Sequence, residues 1–149
     1  MENNLEILLS GKHFKKLYEK KYFPIFKKYD ITKIEIEILL FLQHNRSYDT
    51  ARDIVELKSY TKSHVSKAID SLIKNGYLIG KLDEHDRRSI HLEIPPRAQP
   101  IVQEALQLRN SLLDILFKNM SNEEKLFLDQ IARKIDCNIK EALENEKIN

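Results

Sequence analysis

The 149-residue chain is 42% hydrophobic and 32% charged, with 25 Lys and Arg against 23 Asp and Glu for a net charge of +2. That supplies the core of one domain, and no apolar run approaches the roughly eighteen residues of a membrane span. A single Cys, Cys137, excludes an internal disulfide and a Cys-rich zinc site, and residues 1–10 do not read as a signal peptide, so a cytoplasmic protein is expected.

The charge is unevenly divided. Residues 1–28 carry seven Lys and three Glu, and residues 58–91 carry seven basic and four acidic groups, whereas 29–57 and 92–149 are net acidic. Two basic segments suit a negatively charged partner, although such segments also serve as plain solvated surface.

With only three Gly and four Pro, most of the chain is expected to be helical. Phe14, Leu17, Tyr18, Tyr22, Ile25 and Tyr29 recur at helical intervals, and Pro24 is expected to kink or divide that helix. Thr32 and Glu35 have capping-box spacing and open a helix from Lys33 to His44. The polar stretch NRSYDT is read as a loop, followed by a short helix from Ala51 to Leu57 that turns Ile54, Val55 and Leu57 inward. After KSYT comes a helix with Thr61 as N-cap, Gly76 as C-terminal glycine, and an apolar stripe of Val65, Ile69, Leu72 and Ile73. Two helices joined by a four-residue turn outline a helix-turn-helix.

Tyr77–Leu82 is then expected to pair with Ser89–Ile94 as a hairpin. In the second strand Ile90, Leu92 and Ile94 alternate with Ser89, His91 and Glu93, the mark of one buried face. Between the strands lies DEHDRR, a run too charged for a core. Pro95, Pro96 and Pro100 lead into a helix along Ile101, Ala105, Leu108, Leu112 and Leu116. Ser121 and Glu124 form another capping box, before a last helix aligning Leu128, Ile131, Ile135, Ile139 and Leu143.

On the helix after Thr61 the residues outside the stripe include Lys62, Ser63, His64 and Lys67. Such groups suit base edges and phosphates of a DNA major groove, though an ordinary wet helix face has the same composition. A hairpin with Arg at its tip directly after a helix-turn-helix makes a winged helix, and Arg suits the electronegative minor groove. Asp86, two residues before Arg88, is expected to hold the guanidinium by a charge-assisted bond.

HVSKAIDSLIKNGYL in the recognition region, DIT before Lys33, and DEHDRRSIHLEI in the wing resemble the MarR (multiple-antibiotic-resistance regulator) family of winged-helix transcription factors. The resemblance runs from about Asp30 to Leu143, and Asp86-Arg87-Arg88 is its most specific part. It implies a mainly α fold with a small β-hairpin wing (α+β), in a single domain spanning 1–149. Residues 31–96 would form the DNA-binding lobe, and residues 1–30 and 97–149 a helical dimerisation region. It also implies a homodimer that regulates transcription at a pseudo-palindromic operator in double-stranded DNA. By position, Ser63, His64 and Lys67 match base or phosphate contacts, Arg87 a backbone contact, and Arg88 the arginine that enters the minor groove. A small aromatic or phenolic effector is implied as well, with Phe14, Tyr18 and Tyr22 either lining its crevice or forming plain core. Where the family usually has Leu-Thr-x-x-Gly, this chain has Ile94-Pro95-Pro96-Arg97-Ala98, so the long helix is expected to start differently.

Other functions fit less well. Asp83, Glu84, His85 and Asp86 are expected on an exposed turn, too little buried for acid-base chemistry, and no phosphate loop or nucleophile motif appears, so no enzyme and no cofactor are expected. The five His residues are scattered without helical ligand spacing, so no metal is expected, and a meeting of His85 with His91 across the hairpin reads as a surface pair. Cys137 is expected to be a packed structural thiol. The remaining rival is a winged helix that binds protein rather than DNA.

Overall fold

The computed structural model describes residues 11–147. The expectations for residues 1–10, both the missing signal peptide and the start of the helical region, lie outside the described residues. The protein is mainly helical with one two-stranded antiparallel hairpin. Its described residues fall into two compact units, divided between Asn110 and Ser111. Among the described residues, no helix is long and apolar enough to cross a membrane.

Helix α1 (Lys12–Tyr29) buries Tyr18, Tyr22 and Ile25 and is not divided at Pro24. The ring removes one amide donor, so the Lys20 carbonyl loses its helical partner, but Lys20 is exposed and water can take that place. Tyr22 anchors the helix by donating to the Ala105 carbonyl at 3.0 Å, with its ring stacked on Tyr18 at 4.2 Å. Phe14, the first aromatic of the expected stripe, is exposed.

Helix α2 (Lys33–His44) starts at the expected capping box, in which Thr32 accepts the Glu35 amide and Glu35 accepts the Thr32 amide. Helix α3 (Ala51–Lys58) has a second box, Thr50 with Asp53, that escapes a sequence reading because Asp rather than Glu stands at its third position. Ile54 is fully buried and Val55 partly so, but Leu57 is 56% exposed, against expectation. At 100° per residue the inward direction falls between Ile54 and Val55, which leaves Leu57 about 110° away from it.

Helix α4 (Lys62–Lys74) begins at Thr61, whose hydroxyl accepts the His64 amide. Val65, Ala68, Ile69 and Leu72 are buried, whereas Ile73 is 41% exposed. The buried row is centred near Val65 and Leu72, and Ile73 lies about 90° around the helix from it. Gly76 at φ +73° ends α4 with a two-bond cap, its own amide to the Ile73 carbonyl and the Tyr77 amide to the Leu72 carbonyl. The left-handed turn that only Gly adopts at low cost redirects the chain into the hairpin.

Strands β1 (Ile79–Leu82) and β2 (Ile90–Glu93) pair in the register Ile79 with Glu93 and Leu82 with Ile90. Both are shorter than the alternation suggests. Leu92 is buried, Ile94 half-buried, and Ile90 is 48% exposed. Leu92 lies at the hairpin base, where its amide reaches the Asp49 carbonyl at 2.8 Å, and Ile90 sits toward the tip. A single 3₁₀ turn (Pro96–Ala98), with Pro in its first position, then opens α5 (Gln99–Leu116), so the proline replacement changes the entry without breaking the helix. Ile101, Val102 and Ala105 are buried.

In the second unit, α6 (Asn122–Glu146) starts at the expected box of Ser121 and Glu124. Its whole apolar row is exposed in the single chain: Leu128, Ile131, Ile135, Ile139 and Leu143, with Leu126 and Phe127 beside them. Cys137 is exposed too, which corrects the expectation of a packed thiol.

Candidate nucleic-acid interface

The fold brings two chemically distinct surfaces to the same lobe. On α4, Lys62, Ser63, His64 and Lys67 are all exposed while Val65 among them and Ala68 just after are buried. The Thr61 hydroxyl takes the His64 amide, so the amides of Lys62 and Ser63 at the start of the helix stay open to solvent or an anion.

On the hairpin, the charged run is an ordered turn built by its acids. The Asp83 carboxylate accepts the amides of His85 at 2.7 Å and Asp86 at 2.8 Å. The Asp86 carboxylate accepts the amide of Arg88 at 3.0 Å. Two backbone bonds close the loop, Ser89 to the Asp86 carbonyl and Asp83 to the Ser89 carbonyl, both at 3.0 Å. Asp86 therefore acts on the main chain of Arg88 and not on its guanidinium, which corrects the ion pair expected from the sequence. Short Asp side chains favour such local bonds to the backbone. The result leaves the side chains of Arg87 and Arg88 exposed at the tip.

A groove of about 570 Å³ joins the two surfaces. Lys62 and Ser66 from α4, Arg52 from α3, and Asp86 and Arg88 from the wing all line it. His64 and Lys67 instead line a second groove of about 600 Å³ with Lys33 and Tyr60. Ser63 and Arg87 line neither. Arg52, ion-paired with Glu56 at 2.9 Å, escapes sequence reasoning because it lies in α3, the first helix of the helix-turn-helix, whereas groove contacts are sought on the second.

At the wing base, a further group reads from sequence only as a surface histidine. The His91 ring lies between two carboxylates, with Nδ1 2.6 Å from Asp49 and Nε2 2.7 Å from Asp83. Only an imidazolium can donate from both nitrogens at once. The bonds to Asp49 and then Asp83 push the His91 pKa up to about 9, and the bond from His91 is the main cause that lowers Asp83 to about 2. The His91 ring is engaged by the two carboxylates and not by the His85 side chain; His85 donates its amide to the carboxylate that His91 holds. Asp49 is 42 residues from His91, so no local pattern could have announced the pair.

Comparisons with known proteins agree with this geometry. The family described as winged helix DNA-binding domain matches residues 31–98. The transcriptional repressor MprA of Escherichia coli strain K12 is 29% identical over 98 residues, which is 66% of this chain and 55% of that protein. The chain thus matches about half the length of that relative. A MarR protein from Peptoclostridium difficile has the same fold, with a TM-score of 0.77 at 21% identity, covering 95% of this chain and 90% of that one. So does a MarR family transcriptional regulator from Listeria monocytogenes in complex with a 26mer DNA, with a TM-score of 0.78 at 17% identity over 95% and 90% of the two chains. Residues 31–98 thus match a winged helix DNA-binding domain, and the chain shares the fold of these MarR proteins.

Proposed function

We propose that the protein is a transcriptional regulator that binds double-stranded DNA as a homodimer at a pseudo-palindromic operator. Residues 31–96 act as the DNA-binding lobe, and the helices within 1–30 and 97–149 as the dimerisation region. The observation that carries this reading is the groove that holds Lys62 of α4 and Arg88 of the wing together, with the tip ordered by Asp83 and Asp86. In it α4 lies in the major groove with Ser63, His64 and Lys67 at base edges and phosphates, Arg87 holds the backbone, and Arg88 enters the minor groove. The DNA complex of the Listeria monocytogenes relative supports the same partner. Such a protein works in the cytoplasm and has no catalytic task.

The reading includes modulation by a small aromatic or phenolic effector. Tyr18 supports it: its hydroxyl is buried beside that of Tyr22 and makes no hydrogen bond of good geometry, the one such side-chain atom among the described residues. Burial pushes its pKa far above the ordinary tyrosine value, so it stays a neutral donor that a ligand with an acceptor would satisfy.

Selection from a random duplex pool tests the function. The selected sites are expected to share an inverted repeat, and affinity should fall steeply with salt. Ser63→Ala or His64→Ala should relax base preference at half-site positions, by about 1–3 kcal/mol for each base edge no longer read. A chain that binds no duplex at low salt would overturn the reading in favour of a protein-binding winged helix.

A further inference from the structure

We propose that His91 is a positioning residue for DNA binding: held between Asp49 and Asp83, it fixes the wing to the loop ahead of α3 and so sets where Arg88 is presented. This deepens the regulator reading and rests on it. Among the described residues, the hydrogen bonds that run from the hairpin to the rest of the lobe both end on Asp49. The Leu92 amide meets its carbonyl at 2.8 Å, and the His91 ring meets its carboxylate at 2.6 Å. The other hydrogen bonds and the ion pair of the hairpin are its own, the β1–β2 ladder and Lys81 with Glu93, while buried Leu92 adds apolar packing against the lobe.

The chain of contacts is continuous from the body to the tip. Asp49 holds Nδ1 of His91, and Nε2 of His91 holds Asp83. The other oxygen of Asp83 takes the amides of His85 and Asp86, and Asp86 takes the amide of Arg88. Each link constrains the next, so loosening the ring at Asp49 releases the turn that carries the arginine. Both ring nitrogens face carboxylates at hydrogen-bond distance, and among the described residues no group of three or more His, Cys, Asp or Glu side chains is arranged to hold a metal ion.

Substitution at Asp49 separates positioning from charge. Asp49→Ala deletes a negative charge, which by electrostatics alone should tighten binding to DNA. Positioning predicts the opposite. Against a duplex that the wild-type protein selects from a random pool, Asp49→Ala and His91→Ala should each lose about fivefold or more in affinity, with dimerisation unchanged. In an Arg88→Ala background, neither should weaken binding further, because the residue they position is gone. Tighter or unchanged binding by Asp49→Ala, full additivity with Arg88→Ala, or a lowered Tm with wild-type affinity would each overturn the positioning role while leaving the regulator reading intact. A wild-type chain that selects no duplex would overturn the regulator reading, and the role assigned to His91 with it.

Discussion

Helices α4 and α6 have the same kind of pattern, apolar side chains at spacings of three and four, yet opposite fates within one chain. Val65, Ala68, Ile69 and Leu72 of α4 are buried, and the polar remainder of that helix faces out. Leu128, Ile131, Ile135, Ile139 and Leu143 of α6 are between 36% and 54% exposed. Periodicity therefore specifies a face and not what covers it. In the lobe the cover comes from the same chain. For α6 we propose a second copy, since an apolar row of that length left in water is a liability for a lone chain.

The largest expected effect breaks this contrast at α6. Replacing Ile135 and Ile139 together by Asp should abolish the dimer and leave unfolded or aggregated chain, because obligate interfaces commonly bury upwards of roughly 2,000 Å² and tolerate no unpaired charge at their centre. Leu72→Ala in α4 should instead cost about 2–5 kcal/mol through its cavity, with the assembly state unchanged. Sedimentation and thermal melts distinguish the two. A wild-type chain sedimenting as a stable monomer at micromolar concentration would remove the proposed difference between the helices.

The next effect concerns the exposed wing tip that follows the covered helix. Arg88→Ala removes a cation from the wing twice in a symmetric dimer, and affinity should drop while folding stays intact, since the tip is exposed. The slope of log K against log salt should become shallower by about 0.9 for each phosphate no longer neutralised. An unchanged slope would show that the tip makes no electrostatic contact with DNA.

How far these features can be read from sequence follows the range of the interactions behind them. Lys33–His44, the caps at Thr32, Thr61 and Ser121, and the glycine stop at Gly76 depend on neighbours within five residues, and each is found as expected. Leu57 and Ile73 mislead because an apolar stripe can be wider than the arc that the fold buries. Pro24 disrupts less than its residue type suggests, since its position faces solvent. The tip is recognisable by its composition, but spacing cannot distinguish the side chain of Arg88 from its amide, and so it points Asp86 at the wrong atoms. Asp49 and His91 are beyond reach, because the fold alone joins positions so far apart.

The His91 bracket also gives the wing a pH window. His91 is raised to about 9, so its contribution is fully present below the ordinary imidazole value of 6.5 and is lost as pH rises through about 9. Asp83 is lowered to about 2, so its contribution is present above the ordinary value of 3.8 and lost as pH falls through about 2. Asp49, Asp83 and Glu93 are the acids around the ring, and Arg46 and Lys81 the cations. The bracket is therefore whole between about pH 4 and 6.5, persists in large part at neutrality and opens above 9. Titration of the His91 ring by NMR should give a midpoint near 9 that moves toward 6.5 in Asp49→Ala. A wild-type midpoint near 6.5 would mean that the two carboxylates do not hold the ring in solution.

The smallest effect has an informative sign. Asp86→Ala deletes a negative charge at the tip, which a bare electrostatic account says DNA would favour. Its carboxylate, however, holds the Arg88 amide at 3.0 Å, and a hydrogen bond of this kind contributes about 0.5–1.5 kcal/mol to the turn. Losing it lets the main chain of Arg88 leave the geometry fixed by Asp83 and Ser89. Binding should then weaken slightly, and Asp86→Asn, which keeps an acceptor for the same amide, should restore most of the loss. If the pair instead acted through the guanidinium, Asn would fail to rescue, because a neutral amide makes no ion pair. Tighter binding by Asp86→Ala would show that repulsion from phosphate outweighs the turn, and that the acids of DEHDRR do not serve its arginines.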